Sequence, residues 1–439
     1  MSVLRSAPIC GLIALLASAA THAQNADLEK KVADLEAQVK ALQDALRRAG
    51  ITTATAGDFP RSERAGDDEQ VARTPSLGGI YDKPFLLSAG KKVHIGGYVD
   101  MEFIDTEGKN STFDQHRLIP FIYGDITDNL KFATEIEFEH GGNPDGDGEI
   151  KIEFATLDYI LTDWLTLRGG IILTPLGKVN LVHDSPLQDL TDRPLVSRNI
   201  FPTTLSESGF GFLGEVYPTD SSKLSYEIYL LNGFNGGSSE DATDVAFSTS
   251  GGVRSARGSQ KTDNNNNKAV AGRVGFSPFL GVDVGGSWHV GKWDNESKET
   301  LAIYGVDWTL QKGPFELIGE MGFADIDLSS TLQASNTAGT SDIPEDLFGY
   351  YVQGNYHFMP EFLQDSTPSI FREESTFTAV VRYGHIDLDG TTGETDRLTI
   401  GLNFRPVERA VFKLDYQFND GDRASADANE LIFSFASYF

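Results

Sequence analysis

From residue 91 onward, apolar and polar side chains alternate with a period of two. Leu130, Phe132, Thr134, Ile136 and Phe138 are interleaved with Lys131, Ala133, Glu135, Glu137 and Glu139. Phe315, Leu317, Gly319, Met321 and Phe323 are interleaved with Glu316, Ile318, Glu320 and Gly322. The same holds for Leu398, Ile400, Leu402 and Phe404 against Arg397, Thr399, Gly401, Asn403 and Arg405. A period of two is the signature of a strand with one apolar and one polar face. It predicts sixteen strands, at 93–106, 115–127, 129–140, 149–161, 164–174, 208–218, 223–233, 268–277, 281–293, 299–311, 314–324, 347–358, 374–387, 395–405, 408–419 and 428–439.

The connections alternate as well. Thr127-Asp128, Thr162-Asp163, Pro218 to Ser222, Ser277 to Leu280, Lys312-Gly313 and Pro406-Val407 are short, with 359–373 the long member of that set. The other set includes 174–207, 232–267 and 325–346. Short turns at one end and long loops at the other fit an antiparallel up-and-down barrel in an outer membrane. Hydrocarbon cannot satisfy an open sheet edge, so such a sheet must close. A soluble β-propeller or sandwich would show the same period with the faces reversed. Three features favour the membrane: Trp164, Trp288, Trp293 and Trp308 fall near predicted strand ends, the exported chain is free of Cys, and its last strand alternates through Leu431, Phe433, Phe435, Ser437 and Phe439.

The N-terminal part follows other rules. Arg5, the apolar run 7–20 and the small residues at Thr21 and Ala23 read as a secretory signal spanning 1–23. Cleavage there removes Cys10, the one cysteine, and the positive charge of Arg5. From Leu28 the apolar positions step 4, 3, 4, 3, 4 through Val32, Leu35, Val39, Leu42 and Leu46. That is a heptad seam, with Val32, Val39 and Leu46 at a and Leu28, Leu35 and Leu42 at d. So short a helix is marginal alone, and residues 24–49 are read as an oligomerising coiled coil. Residues 50–90 lack an apolar period and read as a linker before the barrel at 91–439. The fold class is therefore all-β, a 16-stranded antiparallel transmembrane barrel preceded by a short helical coiled coil.

The barrel layout resembles the phosphate-selective porin O and P family. The resemblance rests on the first strand Ile95-Gly96-Gly97-Tyr98-Val99-Asp100, on Phe121 to Phe138, and on Leu157-Asp158-Tyr159. It continues through Leu165-Thr166-Leu167-Arg168-Gly169-Gly170 into Thr174-Pro175-Leu176-Gly177, and covers 93–439. It implies a trimer, an N-terminal extension, and selectivity from ladders of Arg and Lys; such a ladder is not plain in this sequence. A coiled coil followed by a barrel is also similar to the dicarboxylate-channel porins.

If the apolar face meets lipid, the alternate face lines a lumen. Its basic residues are Lys131, Lys151, Arg168, Arg273, Arg382, Arg397, Arg405, Arg409 and Lys413, the last four on neighbouring strands. Its acids are Asp100, Glu102, Glu135, Glu137, Glu139, Glu153, Glu316 and Glu320. Clusters of charged side chains are how pores choose ions. Loop 174–207 is the candidate constriction: an external loop would not need Leu181, Val182, Leu187, Leu190, Leu195, Ile200 and Phe201, which suggest a loop folded inward or packed at a trimer interface. The expected solute contacts are Arg168, Lys178, Arg193, Arg198, Arg382, Arg397, Arg405, Arg409 and Lys413.

The net charge of −28 argues against nucleic acid as a partner. No nucleophile elbow, Walker loop, zinc-protease helix or Cys cluster occurs, so an enzyme is not expected, nor a cofactor or metal. Asn143 to Glu149 lacks the spacing of a calcium loop and reads as a polar hairpin. The expected function is passive diffusion of small hydrophilic solutes, anions such as phosphate or carboxylates. The expected setting is a homotrimer in outer-membrane lipid and lipopolysaccharide, with the coiled coil in the periplasm reaching toward peptidoglycan. The alternative is a structural tether whose barrel is an anchor.

Overall fold

The computed structural model describes residues 87–88, 93–142, 148–389, 393–422 and 426–439. The expected signal, coiled coil and most of the linker, and residues 143–147 of the polar hairpin, lie outside the described residues. The described chain is dominated by sixteen long antiparallel strands. These are β1 (Val93–Thr106), β2 (Thr112–Asp125), β3 (Leu130–Glu139), β4 (Glu149–Thr162), β5 (Leu165–Leu173), β6 (Ser206–Thr219), β7 (Ser222–Leu231) and β8 (Ala269–Phe279). They continue as β9 (Val282–Lys292), β10 (Thr300–Lys312), β11 (Phe315–Ile326), β12 (Asp346–Phe358), β13 (Thr376–Asp387), β14 (Glu394–Val407), β15 (Ala410–Gly421) and β16 (Glu430–Tyr438). Each pairs with its sequence neighbour, and β16 returns to β1 in the register Tyr438↔Tyr98 to Glu430↔Thr106. The sheet is closed. A two-residue strand, Leu87–Ser88, adds to the start of β1.

The burial pattern decides which face is inside. On β15 Phe412, Leu414, Tyr416 and Phe418 are exposed, whereas Lys413, Asp415 and Gln417 are buried. On β14 Leu398, Ile400 and Leu402 are exposed while Thr399 and Asn403 are buried. The barrel is thus apolar outside and polar inside, as hydrocarbon on one side and water on the other require. Aromatic rings gather at both ends of the outer face. Phe323, Phe348, Tyr350 and Tyr383 form one belt, and Tyr356, Phe358, Phe377 and Phe404 the other. Along β12 the step from Phe348 to Phe358 is roughly 33 Å at ~3.3 Å per residue, or about 25 Å of height at a tilt of about 40°. That matches the apolar band of a membrane barrel.

Two outer-face tryptophans lie over glycines of the next strand, which have no Cβ to obstruct them. A Cβ on Gly319 would stand 2.3 Å from the Trp308 ring, and one on Gly272 2.5 Å from that of Trp288. Trp164 is exposed in the β4–β5 turn. Trp293 departs from the expected girdle. It is fully buried beneath the long loops, its Nε1 donating to the Asp327 carbonyl at 3.1 Å and its ring edge-on to Phe247. The long connection between β12 and β13 carries a short helix, Glu361–Ser366.

An arginine on the outer face near mid-strand would face hydrocarbon. Leu414→Arg should cost about 2–4 kcal/mol of folding free energy in a bilayer, read by denaturant titration in phosphatidylcholine vesicles. Arginine tolerated there without loss would mean that this face is not lipid-exposed.

Candidate functional site

The loop between β5 and β6, residues 174–205, folds into the barrel and is pinned to the inner wall along its length. Its neck is held first. The Asn180 amide donates to the carbonyls of Thr174 (2.7 Å) and Leu205 (3.0 Å) and accepts from Leu205 N–H. One carboxylate, Glu320 of β11, then accepts from both ends of the loop. Its Oε1 takes the amides of Lys178 and Val179 (2.8 Å for Val179), and its Oε2 takes the Ser197 hydroxyl at 2.6 Å. Bonds to a buried charge are each worth roughly twice a neutral one.

Further along, His183 pairs with Glu153 of β4, and Asp184 accepts from Tyr438 of β16 at 2.8 Å. Lys413 donates to the Ser185 carbonyl (2.9 Å), and Arg405 to that of Pro186 (2.6 Å). Asp189 meets Asn355 and Asn403, and Thr191 N–H donates to Asp415. Arg382 reaches the Asp192 carbonyl (2.7 Å), and Arg397 (3.1 Å) and Gln417 (3.0 Å) its carboxylate. Asp192 is half-buried; desolvation alone would push its pKa up, but Arg397, Arg198 and the Gln417 hydrogen bond outweigh this and hold it below the ordinary range.

Apolar sockets complete the docking. Gly305 and Gly322 face each other across β10 and β11, and a Cβ on either would lie 2.6 Å from the Phe201 ring. Leu190 similarly closes on Gly401. Gly177 has a positive φ of 73° and the same ring beside it, so the tight start of the loop requires glycine there twice over. The short helix α1 (Leu195–Asn199), Ile200 and Phe201 join Phe247, Val253, Trp293, Leu328 and Leu332 in one apolar core made largely by the long loops.

The expected contact residues separate by partner. Arg168 faces inward but forms a buried bidentate pair with Asp158 (2.9 and 2.8 Å) and a hydrogen bond to Tyr229, so it braces the wall. Lys413 is 1% exposed and Arg382 4%; both spend their donors on loop carbonyls. Arg405 is half-buried in the same role. Arg409 is in the exposed β14–β15 turn, one residue outside β15, and does not join that wall. Lys178 reaches Thr309 (2.7 Å) and Asp283 (3.4 Å) yet remains partly open. Arg397 also keeps some exposure, and Arg198 is exposed. Arg193 lies near Arg117 and Glu137, with its Nε and Nη2 buried and without a hydrogen-bond partner. Burial, reinforced by Arg117, pushes its guanidinium down to about 10.

Two arginines escaped the sequence reading. Arg254 and Arg257 of the β7–β8 loop donate to the carbonyls of Thr203 and Thr204, bringing that loop against the first. Arg254 lies within electrostatic reach of Arg257, Arg198 and Arg193; burial first, and then these three charges, push its pKa down. Nothing periodic marks them; the one cue was a pair of arginines flanked by glycine and small residues (Gly251 to Gly258) in an otherwise polar loop. On β1–β4 the inner wall carries the expected acids, with Arg117 bound to Glu137 (3.2 Å) and Glu139 (3.0 Å) and Lys151 to Glu137 (2.7 Å).

A closed barrel with a lipid-facing exterior, a charged interior and a loop pinned inside it defines an outer-membrane channel of the porin class. The profile of the family "Phosphate-selective porin O and P" matches residues 92–432. The chain belongs to that family. An uncharacterized protein of Aquifex aeolicus (strain VF5) is 29% identical over 361 residues, which cover 78% of this chain and 79% of that one. Among solved structures, the anion-selective porin from Comamonas acidovorans is 11% identical with a TM-score of 0.50, covering 79% of this chain and 99% of its own. The in-vitro folded trimer form of OmpT, an outer membrane protein of Vibrio cholerae, is 12% identical with a TM-score of 0.50, covering 79% and 99%. At these identities the likeness is one of fold.

Gly322→Val would drive a side chain into the Phe201 ring. The barrel should still assemble, and the loop should leave its socket, raising single-channel conductance and current noise in planar bilayers. An unchanged conductance would show that the loop does not limit the passage.

Proposed function

We propose that this channel prefers small anions, and that the preference is set where loop 174–205 meets the β7–β8 loop. One observation carries this reading: Arg257, Arg198 and Arg193 all lie within electrostatic reach of Arg254, and Arg198 within reach of Arg397, while Arg254 and Arg257 bind the adjacent carbonyls of Thr203 and Thr204. Crowded guanidinium groups repel one another, and a passing phosphate or carboxylate relieves that repulsion while accepting bidentate hydrogen bonds. A low-dielectric wall strengthens the effect. Wall cations that the loop occupies, namely Arg382, Arg405 and Lys413, act by fixing the loop that presents the others. Arg168 acts on the wall itself.

Changing Arg198, Arg254 and Arg257 together to Ala should move the zero-current potential in a KCl gradient toward cation preference. It should also weaken current block by added phosphate or succinate at least several-fold. A wild-type-like reversal potential in the triple variant would remove the cluster from selectivity.

We infer the assembly of the channel from its N-terminal sequence. The channel is a homotrimer surrounded by lipid and lipopolysaccharide, made with a signal at 1–23, and its segment 24–49 forms a coiled coil in the periplasm, joined by the linker 50–90 and extending toward peptidoglycan. The heptad seam supports this, as does the trimer form of the OmpT structure. A synthetic 24–49 peptide should sediment as an oligomer with a helical circular-dichroism spectrum. A monomeric, unstructured peptide at millimolar concentration would refute the coiled coil.

A further inference from the structure

The ladder between β1 and β2 is interrupted at one place. Asp100 pairs with Arg117, and Glu102 pairs with Asp114, so β2 advances three residues while β1 advances two. The extra residue is a β-bulge, which re-aims a side chain from its normal face. Strict alternation from the buried Arg117, Ile119 and Phe121 would send His116 outward. The bulge instead turns its imidazole in against the two carboxylates. His116 Nδ1 stands 2.5 Å from Glu102 Oε1 and 3.5 Å from Asp100 Oδ2, and the three ligand atoms all lie within 4.8 Å of one another. Asp100 and Glu102 are 1% and 6% exposed, while His116 keeps an opening to the lumen.

We propose that Asp100, Glu102 and His116 form a binding site for a zinc-type divalent ion on the channel wall. The donor set is one imidazole nitrogen and two carboxylate oxygens, which suits a borderline metal and leaves a fourth position for water. Ligand atoms around such an ion stand roughly 3.3 Å apart at bond lengths of about 2.0–2.2 Å. The Asp100–His116 separation already fits, and Glu102 has to withdraw by about 1 Å. Of the nearby cations, Arg117 is committed to Glu137 and Glu139, while Lys413 donates to the carbonyl of Ser185 and keeps its charge within electrostatic reach of both carboxylates. An outer shell is present. The Ser434 hydroxyl lies 3.4 Å from Asp100 Oδ1, and the His140 ring, held by Asp114 at 2.8 Å, stacks on His116 at 6.0 Å. Bound metal would sit beside the constricting loop, since Asp192 lies within electrostatic reach of Glu102.

The test is calorimetric titration of zinc chloride into chelator-treated, detergent-solubilised channel. The wild type should bind one equivalent per chain saturably, and His116→Ala should lose it. Asp100→Asn should weaken it at least tenfold. His385→Ala is the control, because His385, Glu394 and Asp396 form the other three-ligand group among the described residues, at the outer ends of β13 and β14. That variant should bind as the wild type does. Cobalt(II) added to the wild type should give a visible d–d band, shifted or absent in Asp100→Asn, a readout that holds even where His116→Ala fails to fold. The site is overturned by absence of saturable zinc binding, by binding that survives loss of both His116 and Asp100, or by binding that disappears with His385.

Discussion

A backbone amide or carbonyl placed in hydrocarbon without a partner costs several kcal/mol. The rest of this structure follows from that. The sheet has to close, and it does so through the β16–β1 ladder. Closure gives every strand a lipid side and a water side, so the residues that would form the core of a soluble β-protein are turned outward. The interior is then left with charges that must find one another. It fills with ion pairs such as Arg168–Asp158 and Arg273–Asp307 and with a loop whose own polar groups match the wall.

The docking of that loop follows a division of labour between donors. Wall cations address loop carbonyls, as Lys413 does to Ser185 and Arg382 to Asp192, and wall carboxylates address loop amides, as Glu320 does to Lys178 and Val179 and Asp415 to Thr191. Glycines on the inner face supply the hollows that the rings and branched chains of the loop fill. Of the expected contact residues, Lys178 and Arg198, which keep exposure, belong to the loop.

The strand count and the inside–outside parity were legible in the sequence because a period of two is a local property, written in every run such as Phe412 to Phe418. Leu190, Ile200 and Phe201 left residues 174–207 either folded inward or packed at a trimer interface, and the wall glycines that these side chains meet have no trace in the pattern. What each arginine does was not legible, because parity names a side of the sheet and not a partner. Arg168 is held by the residue directly opposite it, Asp158, a fact available only from the register. Arg409 lies one residue outside its strand, and a one-residue difference moves a side chain from wall to turn. His116 illustrates the same limit, since a single bulge reverses its direction. Arg254 and Arg257 come together with Arg198 through two loops whose meeting has no periodic trace.

Because Glu320 and Asn180 grip the loop where it departs and where it returns, the span between them behaves like a noose drawn tight at its knot. The tip of the noose, near Asp189, has moorings of its own on Asn355 and Asn403. Exchanging residues there, together with the few wall groups that moor them, would reshape the tip while the knot stays tied, so one rigid cylinder can be refitted by local editing.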